Sequence, residues 1–417
     1  MLQISGKPLF ALTLLGATMP VLAAPAPRER PKDTLQTVHQ FFGSMPTGVT
    51  VSQKGRIFVN YPRWGDPVPF TVGEIVNGRE VPYPPAPKLR PYLAYRGTGQ
   101  LADHNWNAFG TPNTRAELSQ ENTPRAQKLR RTHLVGVQSV VVDPRDRLWI
   151  LDTGSVLFGP IAYGGPKLVC VDLNTNRVVR TILMPLSVVM PTSYLNDIRF
   201  DLSKGQGGFA YITDSGASGI ITVDLASGAA KRRLTNDPSA VKEPKFVPFP
   251  EGRAMFSTPP KMFPTYIKFQ TDGIAISNDS SRLFYCPLAS RRLYSVSTAA
   301  LRDFNASDAD VAATIIDHGE KGMSDGLESD TQNRVYCTQP ETNSISRRLP
   351  NGLFETVVKS DRLLWPDTMS LAGDGYLYVT SNQLNRQKGY NFGKDLRQKP
   401  YSLFRVRVRD AQPIRLK

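Results

Sequence analysis

Pro46 to Pro62 reads PTGVTVSQKGRIFVNYP, and this phrase decides the architecture. A short alternating apolar run, a polar turn at Gln53-Lys54-Gly55 and a second run rich in β-branched and aromatic residues make a hairpin. The phrase returns as VQSVVVDPRDRLWILDTG from Val137 and LNDIRFDLSKGQGGFAYITDSG from Leu195. It comes again as TDGIAISNDSSRLFYCPL from Thr271, SDGLESDTQNRVYCTQP from Ser324 and PDTMSLAGDGYLYVTSN from Pro366. Further strands follow some copies, as in KLVCVDLNTNRVVRTILM, which turns at Asn174-Thr175-Asn176, and GIITVDLASGAAKRRL, which turns at Ser227-Gly228. Two hairpins make a four-stranded sheet that cannot bury both its faces alone, whereas six such sheets packed radially can. The expected fold is therefore all-β, a six-bladed β-propeller over residues 46–410, with an insertion at about 73–131 rich in Pro, Asn and Arg. Its ring is expected to close by pairing of the strand around Leu403 to Val408 with an N-terminal segment.

Outside that region, residues 1–23 read as a cleaved signal peptide. Lys7 precedes the apolar run Leu9 to Leu15, and Val21-Leu22-Ala23 puts small residues at a cleavage site after Ala23. Residues 24–45 form an N-terminal extension and 411–417 a C-terminal tail. No later segment approaches the ~18 continuous apolar residues of a membrane span. The expected location is extracellular or periplasmic, where disulfides are permitted. Cys170, Cys286 and Cys337 are an odd set without a C-x-x-C pair, so at least one is left over, and they read as strand-packing residues rather than metal thiolates.

Lys and Arg number 51 against 36 Asp and Glu, a formal charge of +15. The basic residues are scattered. Arg405, Arg407 and Arg409 alternate with Val406 and Val408, the period of a half-buried strand. With no nucleic-acid-binding fingerprint beside them, nucleic acid is not an expected partner. A small-molecule ligand or substrate is, and the oligomeric state stays open.

PTGVTVSQKGRIFVNYPRW, the LNDIRFD and TDGIAIS copies and WPDTMS resemble the royal jelly/Yellow protein family, over about Thr47 to Val408. The resemblance implies a secreted six-bladed propeller. Some members of that family resemble dopachrome-converting enzymes, others bind biogenic amines, and others are nutritive or structural. A more distant similarity joins Asn196-Asp197, Asp272-Gly273 and Asp325-Gly326 to the strand-start motifs of regucalcin/gluconolactonase propellers. That similarity implies lactone hydrolysis at an axial divalent metal. The opening glutamate of those proteins is missing here, where Thr47 and Gln138 stand instead.

The start of each innermost strand faces the central channel, so Thr47, Gln138, Asn196, Asp272, Asp325 and Asp367 are expected to form a ring. Three carboxylates in one channel need a cation or protons to offset their charge. Asn196, Asp272 and Asp325 are the candidate metal ligands, and oxygen donors suit Ca²⁺ or another divalent cation. Asp325 and Asp272 are the candidate catalytic residues, activating water in a hydrolase or moving a proton beside a carbonyl in an isomerase. Asn196, Asp367, Thr47 and Gln138 are expected ligand contacts. Trp64 and Trp365 either wall the pocket or pack between blades. Asp before Gly can equally serve only to turn the chain. Asp143, Asp146 and Asp374 fall in hairpin turns and read as structural. Gly322 to Gly326 matches G-x-S-x-G, but a strand follows where a nucleophile elbow needs a helix. His39, His104, His133 and His318 show no zinc spacing. Three classes of function remain: an enzyme acting on a lactone or cyclic carbonyl, a non-catalytic binder of aromatic amines, and a protein-interaction scaffold.

Overall fold

The computed structural model of the protein describes residues 34–85, 127 and 130–417. The signal peptide, most of the insertion and His104 lie outside the described residues. Six four-stranded antiparallel sheets make up the fold. Blade one is β2 (Val49–Val51), β3 (Ile57–Asn60), β4 (Val72–Val76) and β5 (Arg79–Pro82). Blade two is β6 (Val137–Val142), β7 (Arg147–Thr153), β8 (Pro166–Asp172) and β9 (Arg177–Leu183). Blade three is β10 (Leu195–Asp201), β11 (Phe209–Asp214), β12 (Ile220–Asp224) and β13 (Ala230–Arg233). Blade four is β14 (Thr271–Ile276), β15 (Arg282–Pro287), β16 (Arg292–Ser297) and β17 (Ile316–Glu320), with short helices α1 (Thr298–Arg302) and α2 (Asp308–Ala312) before its last strand. Blade five is β18 (Leu327–Ser329), β19 (Val335–Gln339), β20 (Ser344–Arg348) and β21 (Phe354–Lys359). Blade six is β22 (Pro366–Leu371), β23 (Tyr376–Ser381) and β24 (Tyr401–Arg407), completed by β1 (Gln36–Phe41).

The ring closes through β1, which pairs antiparallel with β24 from Gln36↔Arg405 to Phe41↔Tyr401. β1 lies inside the stretch set aside as an N-terminal extension. The stretch set aside as an insertion likewise begins with β4 and β5, the outer strands of blade one. Both carry few large apolar residues because outer strands bury only one face; β1 is exposed at Gln36, Thr37 and Gln40. Inner strands are covered on every side, and all seven residues of β10 are buried.

Hydrophobic clusters sit between successive blades. Leu148 and Val169 meet Phe58 and Val72 between blades one and two, and Trp149 and Leu168 meet Ile198 and Ile212 between blades two and three. Comparable clusters follow between the remaining neighbours, ending with Phe41, Tyr378 and Leu403 against Val59 and Tyr61 between blades six and one. Apolar burial at each interface is what fixes six blades in a ring. Cys170, Cys286 and Cys337 are unpaired and buried within strands.

A repeated carboxylate sets the first hairpin of several blades. Asp143 accepts the backbone N–H groups of Arg145 and Arg147 and the Trp149 indole N–H at 2.8 Å. Asp330 accepts Gln332 and Arg334 N–H and the Tyr336 hydroxyl, and Asp374 accepts Tyr376 N–H and the Tyr378 hydroxyl. Each ties the turn to an aromatic ring of the following strand, so these aspartates are structural. Asp146, by contrast, reaches across to blade one and accepts the Gln53 N–H.

Blade two also buries an ion pair. Lys167 Nζ lies 2.6 Å from Asp152 Oδ2, with both side chains fully buried. Asp152 accepts three backbone N–H groups as well, from Val135, Gly136 and Gly154. The tail from Ala411 crosses the end of the propeller where the inner strands finish: Gln412 O accepts Thr331 N–H in blade five and Leu416 O accepts Leu202 N–H in blade three. No helix among the described residues is long and apolar enough to cross a membrane.

Candidate functional site

Four inner strands begin with a register irregularity: Val137/Ser139, Leu195/Ile198, Thr271/Ile274 and Pro366/Met369. Such bulges free side chains from the ladder and re-aim them. The freed residues are Gln138, Asn196-Asp197, Asp272-Gly273 and Asp367-Thr368. The glycines beside the aspartates do not turn the chain, as the sequence allowed. Gly273 lies within β14, where a Cβ would come within 2.5 Å of Asp325 O, and one at Gly326 within 2.4 Å of Asp367 O. They let adjacent inner strands approach closely at the channel. Threonines at the ends of second strands lock these starts together. Thr213 Oγ1 donates to Asp272 O of the next blade, Thr380 Oγ1 to Thr47 O, and Thr338 Oγ1 accepts the Asp325 and Gly326 N–H groups.

The result is a small cavity of about 20 Å³ on the axis, lined by Gln138, Asn196, Asp272, Asp325 and Asp367 below and by Trp64, Phe158, Tyr194 and Phe269 above. Asn196 Nδ2 donates to Asp272 Oδ1. The Trp365 indole N–H donates to Asp325 Oδ2 at 2.6 Å, and Asn382 Nδ2 to Asp367 Oδ2 at 2.5 Å. Asp272 and Asp325 line the same cavity, and the negative charge of Asp325 adds to the proton affinity of Asp272. Tyr194 accepts from the Trp64 indole at 2.7 Å and donates to Gln138 Oε1 at 3.0 Å.

Two expected members stand apart. Thr47 does not line the cavity; it is buried in blade one, where its hydroxyl accepts Asn60 Nδ2 at 2.9 Å. Trp365 packs with Met323 and Leu384 and touches the site only through its bond to Asp325. Ser324 of the G-x-S-x-G match is buried with its hydroxyl on Gly326 O. Trp64 was an expected pocket wall, whereas the fourth acid, Asp197, and the roof residues Phe158, Tyr194 and Phe269 were not among the expected residues. Asp197 stands in the same LNDIRF phrase as Asn196, but strand alternation turns one of two neighbours away from the channel, and only the bulge brings both near it.

Burial raises every one of these acids. Asp325 is pushed up to about 7 by desolvation, with the Trp365 hydrogen bond pulling the other way and Asp197 adding to the rise. Asp272 lies well above the usual carboxylate range through burial and then its neighbours Asp325 and Asp197. Asp367 is raised in the same way, and Asp197 is raised by burial against the opposing charge of Arg199. Near neutrality burial and mutual repulsion thus keep protons on the cluster.

A stability consequence has a definite sign. Between the ordinary carboxylate range near pH 4 and about pH 7 the folded chain binds more protons than the unfolded one, so stability falls as pH rises through that window. The melting temperature is expected to climb as pH is lowered from about 8 to about 5, and Asp325→Asn should flatten the slope. A pH-independent melting temperature over that range would contradict the raised proton affinity of the axial acids.

Carboxylate oxygens here already accept N–H or O–H donors: Asp272 from Asn196, Asp325 from Trp365, and Asp367 from Asn382 and Thr368. Among the described residues no group of three or more His, Cys, Asp or Glu side chains is disposed to hold a metal ion.

Above the axial cavity lies an open cleft of about 720 Å³ that shares Trp64, Phe158, Tyr194, Ser215 and Phe269 with it. Phe158 stacks on Trp64 with ring centroids 5.3 Å apart and lies 4.9 Å from Tyr194. Leu157 and Phe158 both have positive φ, 56° and 55°, a conformation that costs roughly 1–3 kcal/mol per residue and concentrates at functional sites. The cleft's far wall is Pro259, Pro260, Lys268, Gly389 and Tyr390. The arrangement is a flat-walled aromatic cleft over a buried pair of acids with raised proton affinity.

A family model described as "Major royal jelly protein" matches residues 135–412. Protein yellow of Drosophila guanche is 29% identical over 275 residues, covering 62% of this chain and 40% of that protein. Dopaminechrome tautomerase of Drosophila melanogaster is 27% identical over 199 residues, covering 46% of this chain and 36% of that protein. The matches thus span well under half the length of these relatives. Among solved structures, the calcium-binding protein regucalcin of Agrobacterium tumefaciens is 13% identical, with 91% of this chain and 98% of that chain covered at a TM-score of 0.46.

Proposed function

This chain belongs to the major royal jelly protein family, and from that premise we propose that it is an exported isomerase that moves a proton on a flat cyclic carbonyl compound. The observation that carries the reading is the buried Asp272–Asp325 pair lining the cavity beneath the aromatic roof. Tautomerisation needs one group to take a proton from carbon beside a carbonyl and another to deliver a proton to the carbonyl oxygen. A carboxyl pair holding one proton supplies both, and a pKa near operating pH suits each direction of transfer. Asp325 is the base and Asp272 the acid. Proton count is unchanged over the cycle because one proton leaves carbon and one arrives at oxygen.

The remaining residues bind and orient. Trp64, Phe158 and Phe269 offer faces for a planar ring. Gln138 and Asn196 flank the pair, and the Trp365 N–H holds the Asp325 carboxyl in one orientation. Phe158 must swing aside for a ring to reach the acids, since the cavity beneath it is only about 20 Å³. The similarity to dopaminechrome tautomerase supports this class over lactone hydrolysis. The leader-like residues 1–23 support an extracellular or periplasmic location.

The test is a panel of enolisable cyclic carbonyls and aminochromes, followed by absorbance. Saturable turnover supports the isomerase. Tight binding of aromatic amines without turnover of any panel member would favour the non-catalytic binder, for which the aromatic roof over acids is equally suited. Addition of calcium is expected to leave the melting temperature unchanged. A saturable rise with calcium would overturn the proton-filled reading and restore a divalent ion, with lactones as the substrates to try.

A further inference from the structure

We propose that the rim of the cleft is a docking surface for an anionic lipid bilayer. Phe263 is 92% exposed and Met262 66% exposed at the tip of a loop pinned at its base by the Ser257↔Thr265 bridge. Phe392, 70% exposed, lies beside that loop: its N–H donates to Thr258 Oγ1 at 2.9 Å, and Gly393 abuts Pro260. Large apolar side chains left this open on a folded surface mark a contact surface.

Charge on the same face selects the partner. Its carboxylates are occupied by arginines, Glu251 by Arg386 and both Asp66 and Asp395 by Arg397. Lys261, Lys268 and Lys394 are exposed, and their amino groups take part in no ion pair among the described residues. An apolar tip flanked by free lysines matches the layered chemistry of a bilayer surface, with hydrocarbon below and phosphate above. A protein partner would need a complementary acidic groove, whereas an anionic membrane supplies both features to any flat-lying loop. Docked this way, the cleft opens towards the lipid, so an apolar planar compound can pass into it without crossing bulk water. The docking itself does not depend on the reaction proposed above.

Flotation of the full chain with vesicles of phosphatidylglycerol and phosphatidylcholine, against phosphatidylcholine alone, tests the proposal. The chain is expected on the anionic vesicles only, less so at high salt. Met262→Ser with Phe263→Ser should lower the partition about ten-fold or more, from the loss of roughly one to two buried apolar side chains. Lys261→Ser with Lys268→Ser should lower it independently, and neither pair should move the melting temperature. Absence of vesicle binding overturns the proposal. So does anionic binding that both variant pairs leave intact, because another basic surface then carries it. Self-association that Met262→Ser and Phe263→Ser abolish would assign the rim to a second copy of the chain instead.

Discussion

Asp325→Asn is expected to lower turnover of the best carbonyl substrate by about 10²–10⁴-fold, the usual contribution of a positioned general acid or base. Binding should change far less. Asparagine is nearly isosteric and keeps an oxygen for the Trp365 N–H, so the site keeps its shape while losing the titrating group. Folding should not suffer, since a buried charge near neighbouring acids is removed rather than created. Trp365→Phe provides the companion measurement. Its N–H holds Asp325 down, so its loss should shift the acidic limb of the pH–rate profile, which reports the base, upward while the pocket wall stays apolar. Turnover of Asp325→Asn within about three-fold of the parent, against the two or more decades expected of such a group, would remove the acid pair from the mechanism.

The largest loss of stability is expected at Asp152→Ala, about 3–5 kcal/mol in urea unfolding. The substitution strands a fully buried lysine, whose pKa burial already lowers against the pull of Asp152, and leaves three backbone N–H groups without their acceptor. Lys167→Met should cost much less, because Asp152 keeps its backbone donors. Asp152→Ala combined with Lys167→Met should recover part of the single-mutant loss, since the stranded charge is gone. Equal losses for the single and double variants would assign the whole effect to the backbone donors.

Periodicity made the propeller readable. Hairpin phrases with an acid at the turn recur because every blade solves one packing problem with the same residues, as at Asp143, Asp330 and Asp374. The outer strands β1, β4 and β5 were less legible, because a half-exposed strand such as QTVHQF carries little alternation. Asn196, Asp272, Asp325 and Asp367 were legible as a ring because they hold one position in aligned copies. Thr47 holds that position too but faces Asn60, a local exchange that alignment of repeats does not register. Phe158, Tyr194 and Phe269 come from connections between strands, where no period marks which ring will fold over the axis. The end-of-strand threonines Thr213, Thr338 and Thr380 were visible in ITDSG, CTQP and VTSN, but the role of Thr213 and Thr380 depends on the neighbouring blade.

Pairing of β1 with β24 joins residues as far apart as Gln36 and Arg405, 369 positions along the chain. Synthesis is vectorial, so the last blade is unfinished until nearly every other strand has been made, and the ring stays open for most of that time. Contacts of such long range are formed late and slowly. A polypeptide that cannot snap shut early remains open and threadable for as long as its last strand is missing. The same latch makes the completed ring depend on both of its seams at once, so clipping the chain between Phe41 and Val49 should leave β1 in place only as a peptide held by its partner strand.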